Sequence, residues 1–366
     1  MRASTASVAI KDDGFLDRNA WVLSPETRPD VYTAFRSRKP KQVVFYTDLD
    51  SLSVPLEPGG RFNFIILLNG KDSCFTQIVS SVPAPEKLSQ MDDQPDTIPF
   101  ELTDKQAILV SAIVNESDTL PFHFDLGSLQ FRITRDGLSK TSLWPTGSGE
   151  NAAKTRAALS KVEQIRMGKT TWINPAISLA NMVATGTSGR FGWQVFDNRI
   201  FEIDYDRSQI ILYRSLPKKA SEYSVSEIHF LQSLFCLEAT VKINNHSYSG
   251  NFLVDTGSDL AMILDSSWMS RNCFPTNMPL LKKIRFTDGS GQPYESKIVS
   301  IPTVELHHTE IANIPTSLLG AKSPVGAELN YFGNDLLKRF NMLVDLKTDR
   351  IYLKPNRLAR VPFQKP

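Results

Sequence analysis

The sequence predicts an all-β chain: two lobes related by a pseudo-twofold internal duplication, behind a small N-terminal antiparallel β unit. Three observations lead there. Short apolar runs rich in Val, Ile and Phe alternate with Gly, Asn, Asp and Pro turn signals along most of the chain. Helical spacing is confined to short stretches, Ala152–Val162 and Asn334–Phe340. A block in the middle of the chain recurs near its end.

The elements follow in order. Residues 1–40 are polar, with Pro25, Pro29 and Pro40 and no sustained periodicity, and read as an irregular arm. Residues 41–98 read as a small β unit and a linker. The runs Gln42–Thr47, Ser51–Leu56, Phe62–Leu68 and Cys74–Val79 are strands, and Asn69-Gly70 is a hairpin signal. Pro83, Pro85 and Pro95 mark the linker. Residues 99–216 form lobe one, 217–230 a linker, 231–358 lobe two and 359–366 a tail.

The duplication shows when the chain is slid along itself by 130 residues. Phe122-His123-Phe124-Asp125-Leu126-Gly127-Ser128 then falls on Phe252-Leu253-Val254-Asp255-Thr256-Gly257-Ser258, and Ile133 on Ile263. Further on the offset is 141: Phe191-Gly192 meets Phe332-Gly333, Ile203-Asp204 meets Val344-Asp345, and Ile210–Leu212 meets Ile351–Leu353. The extra residues of the second copy therefore lie in its middle. Each copy reads as strands running into Asp-x-Gly-Ser, a hairpin-rich middle, a short helix after Phe-Gly and a closing hairpin.

Composition narrows the function. Lys plus Arg number 41 and Asp plus Glu 39, so the basic excess of a nucleic-acid binder is missing. No apolar run is long enough to span a membrane as a helix. Cys74, Cys236 and Cys273 cannot all pair, and no CxxC occurs, which argues against a disulfide framework and a thiolate metal site. His307 and His308 adjoin, but strand neighbours point to opposite faces and make a poor ligand pair. Gly168-Lys169-Thr170 lacks the earlier Gly of a phosphate loop, Gly147–Ala152 lacks the strand of a dinucleotide site, and no GxSxG elbow exists. Asn115 and Asn245 begin sequons, yet both sit at matching turns. The N-terminal stretch has one Arg and no apolar core, so it is not a signal peptide.

Asn251–Ser258, followed by Ala261-Met262-Ile263, resembles the active-site signature of retropepsin-like (clan AA) aspartic peptidases. Tyr331–Leu337 is similar to that family's second block, and Val344–Leu353 to the closing hairpin of its bacterial members. The resemblance covers residues 231–356 and, in degenerate form, 99–215. It implies pepsin/retropepsin-like lobes and an aspartic endopeptidase acting on a peptide or protein substrate, with no metal and no organic cofactor. It also implies a secreted, periplasmic or envelope location if a leader has been removed.

The chemistry requires two carboxylates close enough to share one proton, because like charges that near cannot both ionise. One Asp-x-Gly loop supplies one carboxylate, and this chain carries two loops. Asp125 and Asp255 are the candidate catalytic dyad. Gly127 and Gly257 let the facing loops approach, Ser128 and Ser258 can donate to their own carboxylates, and the resemblance makes Thr256 the hydroxyl that grips the facing loop. Leu126 breaks that pattern in lobe one, so the grip is one-sided at best. Asp204 and Asp345 precede turns and read as structural hydrogen-bonders. Asp288-Gly289-Ser290-Gly291, at a hairpin tip, is the candidate flap. A shared proton gives a bell-shaped rate profile with an acidic optimum. The single chain carries both loops and is expected to act as a monomer. The alternatives are an inactive peptide-binding or structural protein, favoured by Leu126, and a homodimer that pairs lobe two between chains.

Overall fold

The computed structural model describes residues 1–82, 95–146, 152–181, 183–287, 293–319 and 328–364. The chain is mostly β and divides into two compact units: Met1–Met91 with Phe230–Ser233, and Asp92–His229 with Leu234–Pro366.

The first unit contains two sheets. One is ordered Phe15–Val22, Ser7–Asp12, Lys41–Tyr46, Ser51–Leu56; the other Arg2–Ala3, Arg61–Leu68, Asp72–Val79, Asp30–Thr33. Val8, Ile10, Phe45 and Val54 of the first share one core with Ile66, Cys74 and Ile78 of the second. Residues 1–40 are therefore not an irregular arm. Ser7–Asp12 alternates exposed and buried positions, and Asp13 and Gly14 both take positive φ (48° and 81°), which turns the chain tightly into Phe15–Val22. The period-2 stretch is short and ends in a charged residue, Asp12, which hides it. Asp12 is buried against Lys41 Nζ at 2.6 Å.

The second unit holds the two lobes. In lobe one the strands run Thr170–Ile173, Gln164–Met167, Ile108–Val114, Asp118–Phe124, Gly189–Phe191, Phe131–Thr134, Ile177–Ala180. In lobe two the corresponding centre is Leu234–Ile243, His246–Asp255, Asn330–Gly333, Met262–Leu264, Thr309–Leu319. The registers correspond. Phe122 pairs Gly189 in parallel in lobe one and Phe252 pairs Asn330 in parallel in lobe two, which are the same alignment under the two sequence offsets. Between them lies a sheet ordered Asp96–Pro99, Gln209–Tyr213, Ile200–Asp204, Phe340–Asp345, Arg350–Pro355, Ser224–Glu227. The central strands, one from each lobe, pair Ile200 with Asp345. Asp96–Pro99 and Ser224–Glu227 thus belong to this sheet, although both fall in or at the edge of segments read as linkers. Their apolar content is too low for a buried central strand, and they form its two edges.

Apolar packing sets the direction of the strands that carry the acids. Phe124 stacks on Phe191 with ring centroids 4.8 Å apart, and Phe252 on Phe332 at 4.3 Å, all fully buried. Because side chains alternate along a strand, these inward rings turn His123 and Asp125, and likewise Leu253 and Asp255, to the opposite face. The helix after Phe-Gly spans Asn334–Leu337 and its lobe-one counterpart, Trp193–Phe196, is a 3-10 turn. The helical stretch of lobe one runs Ala152–Leu159. Asp204 accepts from the Arg207 amide at 3.0 Å, and Asp345 from the Lys347 amide at 2.8 Å and the Thr348 hydroxyl at 2.7 Å, so both tie down their turns. Asn115 accepts from the amides of Glu163 and Gln164, a turn role. No helix among the described residues is long and apolar enough to cross a membrane.

Candidate active site

The Asp-x-Gly-Ser loops of the two lobes face each other across a cleft of about 540 Å³ whose walls include His123, Asp125, Arg190, Leu253, Asp255 and Tyr331. Each loop is anchored from below by the segment after its Phe-Gly block: Trp193 N–H donates to the Ser128 carbonyl at 3.3 Å, and Asn334 N–H to the Ser258 carbonyl at 2.7 Å. Each carboxylate accepts the amide two residues on, Gly127 N–H to Asp125 at 2.9 Å and Gly257 N–H to Asp255 at 3.0 Å.

Glycine is required where the loops meet. A Cβ on Gly257 would lie 2.8 Å from Asp125 Cγ and 2.9 Å from both its oxygens. A Cβ on Gly127 would lie 3.0 Å from Asp255 Oδ1. Each loop therefore passes directly over the other lobe's carboxyl group, which brings two acids 130 apart in sequence into one site.

The two acids stand in different surroundings. Asp255 reaches solvent with part of its surface, yet protein atoms surround its carboxyl group. That desolvation, followed by the charge and hydrogen bond of Asp125, pushes its pKa up to about 8, against the opposing Gly257 amide bond. Asp125 is 5% exposed and has a second donor, the Ser128 hydroxyl at 2.8 Å. Arg190 lies beside it, with Nη1 3.6 Å from Asp125 Oδ2. Ser258 departs from expectation: its Oγ accepts the Leu260 amide at 3.4 Å, a local turn bond, and does not serve the Asp255 carboxylate.

Thr256 is fully buried and grips the facing loop from one side. Its hydroxyl accepts from Leu126 N–H at 2.9 Å and donates to the Phe124 carbonyl at 3.2 Å. Leu126, also fully buried, cannot return the bond. His123 is buried beside the facing loop, and its Nε2 has no hydrogen-bond partner. Burial, the largest influence, outweighs the pull of Asp125 and of the Thr256 backbone and lowers the imidazole pKa.

No protein-family model matches the chain, and no curated protein sequence matches it. Among solved structures it is similar to an aspartic proteinase from Irpex lacteus, with a TM-score of 0.48 and 12% identity over 74% of this chain and 100% of that one. At that identity no residue role transfers from one chain to the other.

Arg190 was not singled out by sequence reasoning, though a signal existed. The offset that sets Phe191-Gly192 on Phe332-Gly333 puts Arg190 on Tyr331. In the structure His123 pairs Arg190 and Leu253 pairs Tyr331 in parallel register, so these four positions flank the acids in matching pairs. One wall is basic and polar, the other apolar and aromatic. The candidate flap, Asp288 to Gly291, lies outside the described residues. The stems of that hairpin, Leu280–Thr287 and Pro293–Leu306, pair in antiparallel register. Ile284 and Ile298 line a second cavity of about 540 Å³ that begins at Asp259 and Leu260, directly after the Asp255 loop.

His307 and His308 do not point apart. They sit at a turn, His307 with φ of 55°, and their rings approach to 4.0 Å. Among the described residues no group of His, Cys, Asp and Glu could hold a metal ion. Cys74 and Cys236 are buried and Cys273 is exposed.

Proposed function

We propose that this chain is an aspartic endopeptidase that hydrolyses peptide bonds in the cleft between its lobes, with Asp125 and Asp255 as the dyad. One observation carries the reading: two acids at matching positions of the two lobes each lie under the other loop's glycine and line one open cleft, where burial and the neighbouring acid strengthen the hold of Asp255 on its proton. In the monoanionic pair the ionised carboxylate removes a proton from a bound water. The resulting hydroxide adds to the scissile carbonyl carbon, while the protonated carboxyl group donates a hydrogen bond to the carbonyl oxygen. The C–N bond then breaks as a dyad proton passes to the leaving amine. Gly257, Gly127, Thr256 and Ser128 hold the loops in place, and the hairpin carrying Asp288–Gly291 is proposed to cover the bound peptide.

Asp255→Asn tests this on a disordered protein substrate. Hydrolysis should fall by orders of magnitude while the chain stays folded. Unchanged turnover would remove the mechanism.

A second reading, a peptide-binding protein without turnover, is favoured by Leu126. It requires peptide binding with no cleavage at any pH. The meeting of both loops within one chain supports a monomer over a dimer that pairs lobe two between chains, and sizing in solution separates the two.

A further inference from the structure

Resting on the dyad reading, we propose that Arg190 is a positioning residue that fixes the dyad's single negative charge on Asp125 and leaves the shared proton on Asp255. The argument starts from the strand register. Asp125 directly follows the strand Asp118–Phe124, two residues after His123, and its N–H continues the pairing onto the Phe191 carbonyl at 2.9 Å; His123 pairs Arg190 on the next strand in parallel register, so all three side chains project from one face of the lobe-one sheet. Arg190 Nη1 ends 3.6 Å from Asp125 Oδ2, and all three residues line the cleft. The same register in lobe two brings Tyr331, a residue without positive charge, beside Leu253 and Asp255.

The hydrogen bonds point the same way. Asp125 accepts from Gly127 N–H and the Ser128 hydroxyl and has the guanidinium beside it, three groups that favour an anion. Asp255 accepts from Gly257 N–H, and its own serine, Ser258, is turned to Leu260. Two carboxyl groups with one proton between them place the charge where donors and positive charge are densest. The titratable and charged groups facing Asp125 are His123 on the strand that leads into it, Arg190 on the neighbouring strand, Asp255 on the facing loop, and Tyr331 across the cleft. Burial works against a charge on His123, and Arg190 is the permanent cation at this place among the described residues. The raised affinity of Asp255 for its proton agrees with the same distribution.

A consequence for function follows. The acid in lobe one would be the general base toward water, and the acid in lobe two the hydrogen-bond donor to the carbonyl. A fixed cation beside the base also holds the monoanion at lower pH than the bare pair would, widening the active range on its acid side.

The test is carbon-13 NMR of the aspartate carboxyl carbons across pH, in the full chain and without substrate, which reads the charge whether or not the protein turns over. The variants are Arg190→Met and Arg190→Lys. Expected are Asp125 as the carboxyl that ionises first in the wild type and in Arg190→Lys, and, in Arg190→Met, a first dyad ionisation displaced upward by about 1 pH unit or more. The acid limb of the hydrolysis profile should move by the same amount. An unchanged first ionisation in Arg190→Met, or Asp255 ionising first in the wild type, would overturn the proposal. Absence of hydrolysis with the expected titration would instead overturn the peptidase reading and leave the charge assignment standing.

Discussion

Thr256→Val is the sharpest test of how the lobes are joined beneath the acids. Valine matches threonine in shape, so the change removes a hydroxyl without opening a cavity. That hydroxyl is fully buried, accepts Leu126 N–H at 2.9 Å and donates to the Phe124 carbonyl at 3.2 Å. Losing the acceptor leaves the Leu126 amide proton buried without a partner, which costs about 1–3 kcal/mol. Losing the donor to Phe124 removes a bond of about 0.5–1.5 kcal/mol net. Leu126 has no hydroxyl to compensate, so the two contributions add to about 1.5–4.5 kcal/mol. Chemical denaturation of the full chain measures the loss, with hydrogen exchange at residues 124–128 as the local readout. Thr256→Ser keeps the hydroxyl and loses one methyl group, worth about 1 kcal/mol, so it should fall between. A Thr256→Val chain within about 0.5 kcal/mol of wild type, with unchanged exchange at Leu126, would refute the one-sided grip, since it would show the amide satisfied by other means.

Three further outcomes follow from the geometry. Gly257→Ala should displace the Asp125 carboxyl group and abolish hydrolysis, because its Cβ would sit 2.8 Å from Asp125 Cγ; Gly127→Ala, at 3.0 Å from Asp255 Oδ1, should be the milder of the two in the same assay. Folded Asp255 binds its proton more tightly than the unfolded chain does, so this group's stabilisation is full below the usual carboxylate range and is lost as pH rises toward about 8. Unfolding free energy should therefore fall with pH over that window, by at most about 1.4 kcal/mol per pH unit, and Asp255→Asn should flatten the slope. Lys41→Met should destabilise the N-terminal unit by about 3–5 kcal/mol, since it strands the buried Asp12 carboxylate, and a denaturation curve that does not move would contradict that.

What could be read from the sequence depended on how local the cause was. The Asp-x-Gly-Ser loops are local: a short apolar strand, an acid and a glycine that allows close approach, repeated at a constant interval, were enough to bring Asp125 and Asp255 forward as a facing pair. Leu126 likewise announced that one side of the grip would be missing. Arg190 was less visible because its place beside Asp125 depends on a parallel pairing between strands distant in sequence. The same holds for His123, whose place beside the facing Thr256 backbone depends on how the two lobes meet. Ser258 misled because a serine beside an acid has two short-range choices, and here the Leu260 amide wins. In the N-terminal unit, buried Asp12 stands where an apolar residue would have made the strand pattern plain, and Asp30–Thr33 shows no alternation strong enough to mark it.

The account turns on the two carboxyl groups acting as one site. The most direct measurement is calorimetric binding of a peptide in which a hydroxymethylene group replaces the scissile amide, so that its hydroxyl occupies the place of the attacking water. The account predicts tight binding to the wild type, weakened at least about 100-fold in both Asp125→Asn and Asp255→Asn, with affinity lost as the dyad's proton dissociates at high pH. Binding that is absent in the wild type, or equally strong in all three proteins, would contradict a dyad between the lobes.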